Sequence, residues 1–151
     1  VDEAYRRWLF HGPLFQGISR IDRIGVDAIE GTLVPSSPRQ WIQGAAEGRW
    51  LIDPVIFDCG LQMLVLWVWE HWDMMSLPSR FLAYHRFGAP GSTEIRCEIR
   101  VRPDERSHIV HADLFFIGAD GRLLGILEDM EGACSKKLNR VVGGSTMRSA
   151  P

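Results

Sequence analysis

No Cys-x-x-Cys pair occurs in the sequence: Cys59, Cys97 and Cys134 lie far apart. That spacing suits neither a disulfide framework nor a zinc site, and it fits a reducing cytoplasm with three plain thiols. Basic runs are as scarce, the longest being Lys136-Lys137, and 17 Lys plus Arg against 19 Asp plus Glu leave a formal charge of -2. Phosphate-driven nucleic-acid binding has no electrostatic support. The chain opens at Val1 with no basic stretch before an apolar segment and no small-residue cleavage site, so no secretory signal is read. Val1 is expected to be a cut inside a longer chain. The one extended apolar stretch, Val55 to Trp69, is shorter than the roughly 20 residues a membrane span needs, and it contains Asp58 and Gln62. Repeats are missing too. What is present is a 151-residue chain, 46% hydrophobic and 24% charged, which is the profile of one folded domain with a real core.

Residues Val1 to Phe10 suit a short helix that Gly12-Pro13 must end, and a turn follows from Gly12 to Gly17. From Ile18 to Val34 the apolar residues Ile21, Ile24, Val26, Ile29 and Leu33 alternate imperfectly, which predicts two strands or one strand bent near Gly25. Pro35 to Gly48 is a loop rich in Pro, Ser, Gln and Gly. Asp53-Pro54 then signals a helix start, since aspartate caps free N–H groups and proline at the first helical position lacks one to satisfy. The helix that follows is apolar on nearly every side and must be enclosed by protein. Strands are predicted at Arg80 to Phe87, Thr93 to Val101, His108 to Ile117 and Arg122 to Cys134, with Ala119-Asp120-Gly121 as a hairpin turn. In Thr93 to Val101 the residues Ile95, Cys97, Ile99 and Val101 share one face, leaving the charges on the other. This order predicts an α+β hot-dog fold over residues 1–140, an antiparallel sheet with a four-strand meander curled round one long central helix. Residues 141–151 are small and polar, and read as a flexible tail or linker.

Asp58 and Gln62 are the only strongly polar side chains between Val55 and Trp69, and their i, i+4 spacing stacks them on one helix face. A carboxylate enclosed by apolar groups loses hydration, which raises its pKa and lets it donate a proton near neutral pH. The helix N-terminus opposes this by roughly 0.3 to 1 kcal/mol, so desolvation prevails if the site is dry. Gln62 can both donate and accept, and would hold the carboxyl in one orientation. The plainer alternative is an Asp and a Gln bonded to each other or to loop backbone.

His11 stands in a tight turn flanked by aromatics, beside a place where a cavity could form. His108 and His111 fall three apart on a predicted strand, on opposite faces, which spoils them as a metal pair. His111 and Asp113 share a face and read as solvated, His71 reads as a helix-end partner, and His85 can face either way. Cys59 points about 100° away from Asp58 on the helix and reads as packing. The six tryptophans, Trp67, Trp69 and Trp72 among them, read as core and interface.

Taken together, His11-Gly12-Pro13-Leu14-Phe15-Gln16-Gly17, Leu51 to Gln62 with its Asp-x-x-x-Gln, Leu77-Pro78, and Ala119-Asp120-Gly121-Arg122-Leu123 resemble the C-terminal half of a polyketide synthase dehydratase domain. The order agrees across nearly the whole chain. In that family two hot-dog units lie side by side and dehydrate a 3-hydroxyacyl thioester, carried on the phosphopantetheine of an acyl carrier protein, in a tunnel between them. The resemblance implies a lyase of polyketide or fatty acid biosynthesis, with Asp58 as acid, Gln62 as its orienting partner, and His11, Gly12, Pro13, Phe15, Gln16 and Pro78 along the substrate. It implies no metal and no cofactor beyond the carrier's arm.

Three departures stand out. His11 occupies a position where many relatives have tyrosine, a form similar to iterative polyunsaturated fatty acid and enediyne-type synthases. Asp53 replaces a histidine that commonly precedes the proline. The family's general base, a histidine in an HxxxGxxxxP pattern of the N-terminal hot-dog, has no counterpart in this sequence. The chain alone is therefore expected to be inactive, with the N-terminal half or a second copy of itself as partner, because a lone hot-dog leaves a sheet edge and an apolar helix flank uncovered. Two other readings stay open: a non-catalytic hot-dog module that binds acyl chains, carrier protein or a partner subunit, and a self-paired chain using His11 as a substitute base. Neither nucleic acid nor membrane is an expected partner.

Overall fold

The computed structural model describes residues 1–44, 48–91 and 93–142. The chain opens with α1 (Asp2–Arg7), which buries Ala4 and stops three residues before Phe10. A single 3-10 turn over Pro13–Phe15 follows, with Gly12 as its extended N-cap. Strands β1 (Ile18–Ile24) and β2 (Ala28–Leu33) form a hairpin closed by Gly25 N–H donating to Ala28 O. Two register shifts in this pair explain the imperfect alternation, since each flips the side chains that follow it to the other face.

The long helix α2 spans Pro54–Trp72. Its N-cap is Asp53, whose side chain accepts from the backbone N–H of Val55 and Ile56, as the Asp-Pro signal predicts. Its C-cap is Asp73, in the left-handed region at φ 52. Beyond it come β3 (Met75–Arg80), β4 (Ala83–Arg86), β5 (Ile95–Asp104), β6 (Ile109–Ile117) and β7 (Leu123–Ser135). A last 3-10 segment covers Lys136–Val142, so the expected tail keeps helical geometry for two residues, and the rest of it lies outside the described residues.

The sheet order is β1-β2-β5-β6-β7-β3, antiparallel throughout, with β4 also on β7. The expected four-strand meander needs correction. Of the four strands only β5, β6 and β7 run as consecutive neighbours; the predicted strand Arg80 to Phe87 is the shorter β4, β3 before it was not predicted, and neither touches β5. The cause lies in β7, which breaks register with β6 between Leu127 and Met130 while Asp129 takes φ 45. Such a bulge bends the long strand, so one neighbour cannot follow its whole length.

The sheet curls round α2, and β5 presents Ile95, Cys97, Ile99 and Val101 to it as expected. Gly60 allows a close approach of helix to sheet: a Cβ there would lie 2.8 Å from Leu114 Cδ2 on β6. Trp67 is anchored by its indole N–H donating to Gly25 O at 2.9 Å. Twelve residues of α2 are buried, but Phe57, Asp58 and Leu61 form a stripe that the sheet leaves partly uncovered. That stripe positions the site.

Candidate functional site

Asp58 lies about one turn inside α2, and Gln62 stands one turn further on the same face. Gln62 is buried to 1% exposure, and its Nε2 donates to Asp58 Oδ2 at 2.7 Å and to Phe15 O at 2.8 Å. The second bond ties the helix to the 3-10 turn and brings His11 over Asp58. His11 Nε2 lies 3.3 Å from the same Oδ2, while Oδ1 takes no hydrogen bond from the described residues. The turn is held by Gln16, whose Nε2 donates to His11 O at 2.9 Å, and by Phe10, whose ring stacks on the imidazole at 4.3 Å. Gly12 and Pro13 shape the turn.

These groups border a cavity of about 450 Å³. Phe10 and Phe15 wall it from the turn, Leu61 and Val65 from the helix, and Met75, Ser76, Leu77 and Pro78 from β3. Its walls are mostly apolar with a few convergent polar groups, the make-up of a ligand pocket. Of the residues expected along a substrate, His11, Phe15 and Pro78 line the cavity, whereas Gly12, Pro13 and Gln16 stand behind it. Sequence reasoning missed Phe10, Leu61, Val65 and the start of β3. Leu61 and Val65 were within reach, being three and seven residues after Asp58 on the helical period.

Enclosure of Asp58 is less complete than the sequence suggests. The carboxyl side chain is 29% exposed, because the cavity opens along the helix flank that the sheet does not cover, so the expectation of a dry carboxyl does not hold in this chain. His11 is the more sheltered partner at 14%. Burial pushes its imidazole below the ordinary histidine range, against the opposing pull of the Asp58 charge. Cys59 is fully buried behind the turn, and burial pushes its thiol up to about 12, which removes it as a nucleophile. Cys97 and Cys134 are likewise buried, free and raised by burial.

The other histidines are elsewhere. His108 occupies a left-handed position before β6, outside the strand predicted to contain it. His111 is not a solvated bystander: Nδ1 lies 3.1 Å from Asp129, in a cluster where Arg102 binds both Asp113 and Asp129. Asp113 stays below the ordinary carboxylate range although burial pushes it up, because Arg102 and the Asp129 N–H bind its charged form. His85 pairs with Glu128 on an exposed strand, and His71 stacks on Trp67 at the helix end. Among the described residues no group of three His, Cys, Asp or Glu side chains could hold a metal ion, and no helix is long and apolar enough to cross a membrane.

A family model described as polyketide synthase dehydratase N-terminal domain matches residues 1–144. Solved structures agree on the architecture. The dehydratase domain from the CurJ module of curacin polyketide synthase superposes with a TM-score of 0.71 at 14% identity, over 93% of this chain and 48% of that one. The dehydratase domain of PpsC from Mycobacterium tuberculosis, solved with C12:1-CoA, gives 0.68 at 22% identity, over 89% and 50%. For the dehydratase domain of RzxB from Pseudomonas fluorescens the values are 0.68 and 14%, over 87% and 47%. No curated protein matches the chain by sequence. The chain thus spans about half the length of these solved domains, and the likeness gives the hot-dog fold. The family description names an N-terminal domain, whereas the motifs point to the C-terminal half; the match gives the family and leaves the half open.

Proposed function

Because the chain belongs to the polyketide synthase dehydratase family, we propose that it is one hot-dog unit of a dehydratase, the C-terminal one, and that Asp58 is the acid that protonates the leaving hydroxyl. The substrate is a 3-hydroxyacyl thioester on the phosphopantetheine of an acyl carrier protein, and the product is the enoyl thioester. One observation carries the reading: a carboxylate oxygen bonded by Gln62 and faced by His11 at 3.3 Å, at the wall of a largely apolar cavity.

In this reading a base on the partner unit removes the α-proton, and the electron pair left behind forms the double bond. The C3–O bond breaks, and the departing hydroxyl takes a proton from Asp58 and leaves as water. The base is a histidine of the N-terminal hot-dog. The absence of an HxxxGxxxxP pattern here, together with an Asp-x-x-x-Gln on the central helix, supports placing this chain as the acid-bearing half. The isolated chain is then inactive, and its partners are the carrier protein and the N-terminal half or a second copy of itself, in the cytoplasm. A self-paired enzyme using His11 as the base is disfavoured, because His11 Nε2 faces Asp58 Oδ2 at 3.3 Å and so lies beside the acid instead of across the substrate from it.

Asp58→Asn in the complete two-unit dehydratase tests this. Turnover of a 3-hydroxyacyl carrier-protein thioester should fall by roughly 10²- to 10⁴-fold, the usual worth of a positioned acid, with the melting temperature unchanged. Undiminished turnover rejects the assignment and leaves the acyl-binding module as the reading.

A further inference from the structure

His11 has two ring nitrogens and one visible task. Nε2 faces Asp58 Oδ2, while Nδ1 is buried and has no partner among the described residues. The ring is fixed from outside the pair, by Phe10 stacked on it and by Gln16 bonded to its own carbonyl. An imidazole fixed in this way, with Nε2 3.3 Å from one carboxylate oxygen, does more than fill a wall. We propose that His11 is a positioning residue for Asp58: with Gln62 it fixes Oδ2, so that Oδ1 is the oxygen presented to the reacting hydroxyl. This rests on the dehydratase reading and deepens it.

The surroundings support a two-member unit. Around His11 its own turn offers Phe10, Phe15 and Gln16, α2 offers Asp58 and Gln62, and β3 offers Ser76 and Pro78; among these Asp58 alone is charged. Tyr5 and Cys59, next to Asp58 on the sheet side, stay neutral because burial raises both far above neutral pH. When His11 is neutral it can turn an Nε2–H toward Oδ2, which leaves Oδ1 to carry the proton of the neutral carboxyl. When it is protonated the two form an imidazolium–carboxylate pair. Only when the carboxyl carries its proton on Oδ1 can it give that proton to the leaving hydroxyl.

Two measurements test the proposal, one independent of turnover. In the 151-residue chain, nitrogen NMR of His11 against pH should show its titration midpoint falling in Asp58→Asn, because burial then acts without the opposing carboxylate charge; an unchanged midpoint overturns the proposal. In the two-unit dehydratase, His11→Phe should lower kcat by roughly 10²-fold, the scale of a misplaced group, with little change in KM and with loss of the inflection that ionisation of His11 adds to the pH profile. His11→Tyr, whose phenol can donate to Oδ2 without titrating near neutral pH, should recover turnover relative to His11→Phe while still lacking the inflection. If His11→Phe leaves kcat and the pH profile intact while Asp58→Asn abolishes turnover, the positioning role fails and the dehydratase reading stands. If Asp58→Asn is fully active, that reading fails and the NMR result judges the pairing on its own.

Discussion

Asp53 and Asp58 stand near the start of the same helix, yet their surroundings differ in kind. Asp53 is buried to 3% exposure, and its two oxygens accept from Ser36 N–H, the Ser36 hydroxyl, Val55 N–H and Ile56 N–H. It caps the start of the helix and fastens the preceding loop, where Trp50 also donates its indole N–H to the Ser36 hydroxyl. Asp58 has both its partners on Oδ2 and opens onto a cavity. Residue type and helix are shared, so the difference comes from how completely the backbone and loops satisfy each carboxylate. A saturated carboxylate holds structure, and one with an oxygen to spare beside an apolar cavity is available for chemistry. Asp73 at the other end shows that spare oxygen alone is not enough: its Oδ1 is buried and unpartnered, but it caps the helix and lines none of the site's cavity.

Substitutions along this helix should separate the three cases. Gln62→Met keeps the volume but removes the grip on Oδ2, and kcat of the two-unit dehydratase should fall by roughly 10²-fold; a rate within a factor of two of wild type would mean that Gln62 is only packing. Asp53→Ala should act on stability instead. Loss of the N-cap and of the Ser36 tie should cost about 2 kcal/mol, read as a lower denaturant midpoint, while turnover per folded molecule stays unchanged. Should Asp53→Ala abolish turnover in fully folded protein, the division between the two aspartates would be wrong. Asp73→Gly gives the smallest effect and of opposite sign, a gain of about 0.5 kcal/mol, because glycine takes the left-handed C-cap freely and removes a buried unpartnered oxygen. A loss of stability would show that Oδ1 has a partner in solution.

Much of this architecture is legible in the sequence because local signals and the fold agree. Asp53-Pro54 states where α2 begins, the alternation of Ile95 to Val101 states which face of β5 is core, and the i, i+4 pair Asp58 and Gln62 states the site's face. The strand β3 at Met75–Arg80 and its separation from β4 are not legible, since they follow from a bulge at Asp129 on a distant strand. Nor is the openness around Asp58. Apolar residues on nearly every side of α2 imply enclosure, but they do not say that the sheet stops short of the Phe57, Asp58 and Leu61 stripe. The contact from His11 to Asp58 depends on Phe15 O meeting Gln62, a tertiary hydrogen bond across 47 residues that no local pattern announces.

The central claim is that Asp58, and not its capped neighbour, is the reacting carboxylate. The most direct test measures turnover of a 3-hydroxyacyl carrier-protein thioester by the two-unit dehydratase with Asp58→Asn and with Asp53→Asn, each scaled to the folded fraction. The prediction is that Asp58→Asn loses turnover while remaining folded, and that Asp53→Asn keeps wild-type turnover per folded molecule. Wild-type turnover by folded Asp58→Asn would contradict the account.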